Sequence, residues 1–363
     1  MRLTALDVRD VRLVRSAALE PGRDVNLLLG PNATGKTSLL EAIHILATGR
    51  SFAASRTARV MRVGGGPLRV VGRVQRGFDG RIHRLGIERG STGPARMRID
   101  GRPAERLAEL ARLLPVIAIH PQSHELIMGG PGERRRLLDL GLFHVEQRFH
   151  GLWQRYRRAL SQRNVLLRKR VPESQLGPWE MELARTGEQL DEFRRHYVDS
   201  LTELVTALAP ALFGDVIELE LEYRRGWHEG ESLGDALSRL RSRDVEQRVT
   251  GVGPHRADLV IRIDGRDVRQ RISRGQQKLL IYLLRLAQAR QLAAVGDGSC
   301  VLLLDDLPAE LDADRRARVM ATAVSVGAQC FVTALEKASV PIPDDVACNM
   351  FHVEQGEVSE VVQ

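Results

Sequence analysis

The chain has 363 residues, of which 43% are hydrophobic, enough for about two compact domains. Its formal net charge of +8 favours an anionic partner, with nucleic acid ahead of an anionic membrane surface. The three cysteines are widely spaced and form no Cys-x-x-Cys pair, so they indicate neither a disulfide framework nor a zinc site. No apolar run approaches the ~18 residues of a membrane span, and we therefore expect a soluble, cytoplasmic protein.

The first informative motif is a phosphate-binding loop at residues 30–37, which read GPNATGKT. A predicted strand at Val25–Leu29 precedes it, and an amphipathic helix is predicted to begin at Ser38. Glycines let the backbone N–H groups of such a loop turn toward phosphates, while its lysine reaches the β- and γ-phosphate oxygens and its threonine can hold Mg²⁺. Lysine is rare here, with four against fifty arginines, which makes a chance match at Lys36 less credible.

The character of the chain changes twice along its length. Residues 1–115 are strand-rich, with strands predicted at 68–74 and 81–87 and an antiparallel section beside the loop. A further strand at Val116–Ile119 precedes Gln122, and residues 131–250 then become helical and rich in arginine. We therefore predict one domain formed by residues 1–130 with 251–363, and a second lobe at residues 131–250.

A pair of acids follows a strand predicted at Val301–Leu304. Ionised carboxylates at the end of a buried strand need a charge or a metal ion to offset their desolvation. We expect Asp305 to be an outer ligand of the Mg²⁺ held by Thr37, and Asp306 to polarise the water that attacks the nucleotide. The alternative is an acidic turn without function, which the phosphate loop upstream makes less attractive.

A second anion site is predicted where Ser273-Arg274-Gly275-Gln276 opens an amphipathic helix that runs to about Ala294. A serine at the start of a helix, with free backbone N–H groups beside it, is suited to bind phosphate. Because the chain already has one phosphate loop, this second site is best explained if it contacts nucleotide held by another subunit.

These motifs together resemble the RecF family of bacterial recombination mediators, within the ATP-binding-cassette (ABC) and chromosome-maintenance (SMC) head ATPases. The resemblance spans residues 9–312 and is carried by the following segments: 30–43, 48–52, 129–139, 162–164, 253–259, 273–280 and 305–312. It implies an α/β fold, with a P-loop ABC/SMC-like ATPase head of mixed sheet and flanking helices, plus an inserted helical lobe.

The resemblance also implies roles for residues that match the family's motifs. Two heads would sandwich two ATP molecules with Mg²⁺, each nucleotide being held in cis by one phosphate loop and in trans by Ser273, Gly275 and Gln276 of the other subunit. Gln122 would belong to a loop that senses the γ-phosphate, and Arg12 would contact the nucleotide phosphates. The cis contacts would come from the loop and the next residue: Gly30, Pro31, Asn32, Ala33, Thr34, Gly35, Lys36, Thr37 and Ser38.

Three positions depart from the patterns of related ATPases. Ala33 stands where most relatives have glycine, so the loop is expected to be stiffer. Asp306 is shorter than the glutamate of most cassette ATPases, which suggests slow turnover. Thr333 lies where transporters have a switch histidine, and we expect it to replace that residue only weakly.

The family role would be that of an ATP-switched dimer and weak, DNA-stimulated ATPase. It would bind duplex and gapped DNA, act with RecO and RecR, and help RecA indirectly. Candidate DNA contacts are the arginines of the helical lobe and of the strand-rich domain: Arg50, Arg56, Arg59, Arg163 and Arg168. Such arginines can equally form a solvated face.

Two other classes of ATPase fit the sequence less well. A transporter ATPase subunit would carry a switch histidine and a coupling surface, and this chain lacks the histidine at residues 331–334. A double-strand-break head would need a long coiled coil between Thr37 and Ser273, where the strand-rich segment leaves no room for one.

Overall fold

The computed structural model describes residues 1–53, 57–77, 80–214, 217–270, 272–295 and 299–361. The chain divides into two compact units. The first unit comprises Met1–His124, Leu208–Asp215 and Ser273–Gln363, and the second comprises Glu125–Ala207 and Val216–Ile272. Residues 251–272, which the sequence division assigns to the head, thus group with the second unit because their strand pairs there.

The strands are numbered in chain order. They are β1 Arg2–Val11, β2 Val14–Leu19, β3 Val25–Leu29, β4 Leu68–Arg76, β5 Arg81–Arg89, β6 Arg96–Ile99, β7 Arg102–Pro103, β8 Val116–Ile119, β9 Leu219–Arg224, β10 Asp258–Ile263, β11 Arg266–Asp267, β12 Val301–Leu304, β13 Gln329–Ala334, β14 Cys348–Glu354 and β15 Glu357–Glu360.

The α-helices are numbered in the same way. They are α1 Lys36–Thr48, α2 Leu107–Leu113, α3 Glu125–Met128, α4 Pro131–Val145, α5 Phe149–Lys169, α6 Gly177–Phe213, α7 Leu233–Arg239, α8 Arg241–Gln247, α9 Arg274–Ala293, α10 Leu307–Glu310 and α11 Ala313–Ser325. Within the described part of the chain, each helix is too short or too polar to cross a lipid bilayer.

Two sheets build the described part of the first unit. One is mixed, with strand order β15-β14-β3-β13-β12-β8, and its pairs are parallel except for β14 with β15. The other is antiparallel, with order β2-β1-β4-β5-β6-β7. The α/β head predicted from the sequence, with an antiparallel section beside its phosphate loop, is confirmed.

Helix α1 packs between these two sheets. Its apolar residues, among them Leu39, Ile43 and Leu46, join one buried cluster with residues of both sheets. The helix ends at Thr48, and Gly49 caps it. The φ of Gly49 is 67°, which is favourable for glycine, and its N–H donates to the carbonyl of Ile45 at 2.8 Å. The mixed sheet and α1 thereby fix the position of the loop that joins β3 to α1.

The second unit is mainly helical, with a small antiparallel sheet of order β11-β10-β9. Helix α4 begins with Pro131, a residue suited to the first helical turn, where its missing N–H costs nothing. Arg134 in this helix forms a bidentate ion pair with Asp258 of β10, at 2.7 and 3.1 Å. This pair ties the helices of the unit to its sheet.

The prediction that Arg163 contacts DNA is wrong. Its side chain is fully buried, and its guanidinium donates to Glu180 at 2.9 and 3.1 Å, to Asp244 at 2.7 Å and to Thr250 at 2.9 Å. A guanidinium that is removed from water and occupied by two carboxylates cannot reach a phosphate group outside the protein. Arg163 instead holds α5, α6, α8 and the segment before β10 together.

Arg163→Ala is expected to lower the free energy of unfolding by about 3–5 kcal/mol, because Asp244 would remain buried without its cation. Chemical denaturation followed by circular dichroism measures this change. The matched control is Arg168→Ala on the same helix, since Arg168 is exposed and should change stability by no more than about 0.5 kcal/mol. Equal effects of the two substitutions would contradict the structural role of Arg163.

Candidate nucleotide site

The phosphate loop between β3 and α1 depends on two glycines for its shape. Gly30 has a φ of 147° and Gly35 a φ of 117°, which L-residues with a side chain rarely adopt. A Cβ at Gly30 would also lie 2.2 Å from the carbonyl oxygen of Val353. The motif's glycines are thus required by backbone conformation and by the close approach of β14.

Ala33 also has a positive φ, of 63°. The left-handed conformation costs a residue with a Cβ roughly 1–2 kcal/mol, whereas glycine adopts it freely. The family resemblance implies glycine at this position, and a positive φ is a physical reason for that preference. The loop therefore holds a strained alanine next to residues predicted to bind phosphate.

Lys36, the first residue of α1, folds back over the loop. Its Nζ donates to the carbonyl oxygens of Gly30 at 2.6 Å and Pro31 at 2.7 Å, and the residue is only 9% exposed. Burial lowers the pKa of Lys36 from its ordinary value, and the carboxylates of Asp306 and Asp305 oppose that shift. The ammonium group is thus held at the loop by carbonyl groups that phosphate oxygens could replace.

Thr37 and Asp305 are brought together although 268 positions separate them. The Thr37 hydroxyl lies 2.9 and 3.2 Å from the two carboxylate oxygens of Asp305. The hydroxyl of Thr333, at the end of β13, donates to the same carboxylate at 2.9 Å and accepts from the backbone N–H of Asp306 at 2.7 Å. Thr333 therefore positions both acids, a role that the sequence analysis did not find.

The chemistry of this donor set fits Mg²⁺. Asp305 is 6% exposed and forms no ion pair with any described residue, and burial raises the pKa of its carboxyl while the Thr37 and Thr333 hydroxyls oppose the shift. The described residues contain no cluster of three or more His, Cys, Asp and Glu side chains arranged to hold a metal. Thr37 and Asp305 would thus be the protein's ligands, with phosphate and water completing the coordination that Mg²⁺ commonly has.

Asp306 differs from its neighbour in conformation and environment. It is exposed, and its φ of 57° places it in the left-handed region just before α10. Aspartate tolerates this conformation better than most residues with a side chain. The sharp turn directs the chain away from the sheet, so one acid stays buried at the strand end and the next reaches solvent.

A cavity of about 580 Å³ joins these groups. Its lining includes residues of the loop and its helix, both acids, Thr333, Pro121, Arg12 and Arg59. Arg59, predicted to contact DNA, is exposed here beside the phosphate loop. The cavity therefore concentrates positive side chains and loop N–H groups where a nucleoside triphosphate could lie.

Arg12 lines this cavity, but its guanidinium already has a partner. It forms an ion pair with Glu41, a fully buried acid on α1 whose other carboxylate oxygen accepts from Ser51. The backbone N–H of Arg12 also donates to the carbonyl of Val60 at 2.7 Å. Sequence reasoning missed Glu41, although an acid on the inner face of the helix after a phosphate loop was a signal.

Gln122 lies in a 3₁₀ helix at Pro121–His124, directly after β8. It is exposed, and its Oε1 is 2.9 Å from Nδ1 of His120. Pro121 contributes to the lining of the cavity and Gln122 does not. In this structure Gln122 is thus near the site but turned toward His120, and its predicted catalytic role stays a prediction.

Ser273 caps helix α9, and we call Ser273–Gln276 the signature segment. The Ser273 hydroxyl accepts from the backbone N–H of Gln276, and the Gln276 side chain accepts from the backbone N–H of Ser273, both at 3.2 Å. This capping box leaves the N–H groups of Arg274 and Gly275 at the exposed start of the helix. A Cβ at Gly275 would lie 2.3 Å from Nη1 of Arg315.

The signature segment does not line the 580 Å³ cavity at the phosphate loop, and its Arg274 lines a second cavity, of about 380 Å³, that shares Asp305 and Pro121 with the first. The contact of this segment with nucleotide held by another subunit stays a prediction.

The remaining candidate DNA contacts are placed differently from one another. Arg50 and Arg168 are exposed, as a phosphate contact requires. Arg56 lies outside the described residues. Nothing else in the fold distinguishes Arg50 and Arg168 from other surface arginines, so both stay predictions.

The fold and the site together define a P-loop ATPase head of the ABC and SMC type. The family described as the RecF/RecN/SMC N terminal domain matches residues 2–359. The chain is 42% identical to the DNA replication and repair protein RecF of Thioalkalivibrio sulfidiphilus over 98% of both chains. It is 39% identical to the corresponding protein of Shewanella halifaxensis, over 99% of this chain and 98% of that protein. The chain belongs to the RecF family.

Solved structures agree with this assignment. The recombination mediator protein RecF with ATP, in the RecFOR pathway, superposes with a TM-score of 0.86 at 27% identity, over 99% of this chain and 97% of that one. An SMC head bound to the C-winged helix domain of ScpA superposes with a TM-score of 0.56 at 15% identity, over 99% of this chain and 97% of that one. The second match shows the shared head fold alone. A transporter subunit is not favoured.

Ala33→Gly is expected to raise the free energy of unfolding by about 1 kcal/mol, because glycine adopts the left-handed conformation without a clash. The control is Ala321→Gly at an exposed position in α11, which should lower stability by about 0.5–1 kcal/mol. Denaturation curves of both variants measure the two changes. A loss of stability in both would show that the loop is not strained at Ala33.

Proposed function

We propose that this protein is an ATP-switched recombination mediator that binds DNA. ATP would join two heads, the dimer would hold duplex DNA next to a single-stranded gap, and slow hydrolysis would release it. In this role the protein would act with RecO and RecR and help RecA occupy the gap. We place the activity in the cytoplasm, where bacterial DNA is repaired.

The observation that carries the proposal is the contact between Thr37 of the phosphate loop and Asp305 at the end of β12, at 2.9 Å. It brings the two predicted ligands of Mg²⁺ to one point, next to Lys36 of the phosphate loop. Membership of the RecF family, and the similarity to the recombination mediator RecF with ATP, support a mediator rather than another ATPase.

Each group has a role that its chemistry supports. The loop N–H groups and Lys36 would bind the β- and γ-phosphates, and Arg59 would add positive charge at the cavity. Thr37 and Asp305 would hold Mg²⁺, which neutralises phosphate charge when bound. Asp306 would orient the attacking water, and its short side chain is consistent with slow hydrolysis of ATP. We propose that DNA stimulates this weak activity.

The exposed position of the signature segment supports the proposed dimer. The signature segment has free N–H groups at an exposed helix start but does not line the cavity of its own phosphate loop. A second copy that presents this helix to the γ-phosphate would complete each site. ATP would then act as part of the interface, and its hydrolysis would weaken the dimer.

Asp306→Asn is expected to slow ATP hydrolysis by about a hundredfold, while ATP binding is unchanged, because the amide cannot polarise water as a carboxylate does. Asparagine keeps the size of the side chain and tolerates the φ of 57°. Single-turnover hydrolysis and nucleotide titration measure the two effects. The control is Asp314→Asn, an exposed acid in the first turn of α11. Hydrolysis at the normal rate in the Asp306 variant would refute its role.

Mixing two inactive variants tests whether each site is shared. Lys36→Ala damages the phosphate loop, and Ser273→Arg blocks the signature segment with a bulky cation. In the mixed dimer one composite site has both defects and the other has none, so partial recovery of ATP hydrolysis is expected. Absence of recovery, although mixed dimers are shown to form, would contradict sharing across subunits.

A further inference from the structure

The outer face of the antiparallel sheet in the first unit is strongly basic. Side chains alternate along its strands, so that one set packs on the core around α1 and the other faces solvent. Six exposed arginines lie on the solvent side, and we call this set the arginine face: Arg9, Arg69, Arg73, Arg84, Arg96 and Arg98.

The register places like charges directly opposite each other. Arg9 of β1 is paired with Arg69 of β4, and Arg73 of β4 is paired with Arg84 of β5. Directly opposed like charges destabilise a sheet. Arg69 is also opposite Glu88 of β5, which can offset its charge, whereas Arg73 is opposite only Ala5 and Arg84. The Arg73–Arg84 pair therefore does not stabilise the sheet, and its presence points to a use outside the fold.

Few acids neutralise this surface. Asp7 and Glu88 share the face, and Asp100 lies at its edge, where its carboxylate accepts from the backbone N–H of Arg84 and lies 2.8 Å from His83. Arg96 lies 3.8 Å from Glu88. Within the described ranges, the other five arginine side chains form no ion pair, which distinguishes them from the paired arginines of the second unit.

The side chains of the arginine face favour duplex nucleic acid as its ligand. Four arginines and two acids line a cavity of about 630 Å³, so its lining carries a positive excess: Arg69, Arg84, Arg96 and Arg98 with Glu88 and Asp100. No aromatic side chain lies on the outer side of the described strands, so the face lacks the stacking platform that single-stranded nucleic acid requires. Arginine is the side chain best suited to bind phosphate in bidentate geometry.

The spacing also suits a duplex. Arg69 and Arg73 are four residues apart on β4, about 13 Å along the strand. That distance is close to the ~12 Å width of the major groove, so the two side chains could contact phosphates on both of its edges.

We propose that the arginine face binds the phosphate backbone of duplex DNA without reading its sequence. This inference rests on the proposed DNA-binding function and locates it on residues that the sequence analysis did not select. Arg50 and Arg168 are not needed for it. An acidic protein surface is the competing ligand, and the salt dependence of DNA binding separates the two.

The test is the double variant Arg73→Gln/Arg84→Gln, measured by ATP-dependent binding to a 30-base-pair duplex of arbitrary sequence between 50 and 200 mM salt. Loss of two phosphate contacts should lower the log–log salt slope by about 1.8. The ratio of the DNA affinity of the unsubstituted protein to that of the variant should then fall about 12-fold between 50 and 200 mM salt. ATP binding should be unchanged, and the variant should unfold at the same or a higher denaturant concentration.

The matched control is Arg185→Gln/Arg239→Gln, which also removes two positive charges from exposed arginines. These two arginines are already paired with Glu182 and Glu231, and their loss should leave the salt slope unchanged. An unchanged slope in the Arg73/Arg84 variant would overturn the proposed surface, and so would an equal change in the control. Absence of any ATP-dependent DNA binding by the unsubstituted protein would overturn the proposed function together with this surface.

Discussion

The site depends on one buried carboxylate. Asp305 lies at the end of β12 with two hydroxyls, from Thr37 and Thr333, but with no cation paired to it among the described residues. A carboxylate removed from water is unfavourable unless charge or hydrogen bonds compensate for the loss of hydration. The two hydroxyls compensate only in part, since burial still raises its pKa. A divalent cation with bound triphosphate would complete the compensation and would thereby couple stability to nucleotide binding at this residue.

The same constraint organises the elements around it. Strands β3, β13 and β12 are adjacent and parallel, and their carboxyl ends present the phosphate loop, Thr333 and the acid pair along one edge. Helix α1 starts at that edge and is fixed by its apolar residues between the two sheets. The backbone of the phosphate loop is strained at Ala33, and two carbonyl oxygens of the loop accept hydrogen bonds from the ammonium group of Lys36. Phosphate oxygens could take over those contacts without rearrangement of the sheet.

Sequence reasoning predicted much of the head because its signals are local. The limits of β3 and the start of the signature segment followed from apolar runs and capping residues, and the structure has them at the same positions. Motif spacing also predicted that Thr37 and Asp305 meet. The prediction for Arg163 was wrong because the sequence of an arginine-rich helix does not show whether a given arginine faces solvent or pairs with two buried acids. The partners Glu180 and Asp244 are 17 and 81 positions away and carry no motif. Glu41 was missed for the same reason, and so were the contacts of Thr333 with both acids, since only tertiary packing brings these residues together.

We propose that ATP joins two heads because each signature segment contacts nucleotide held by the other subunit. Light scattering of the unsubstituted protein with ATP and Mg²⁺, compared with ADP and Mg²⁺, tests it most directly. We expect a mass twice that of the monomer with ATP and the monomer mass with ADP. The same mass with both nucleotides, in protein shown to bind ATP, would contradict it.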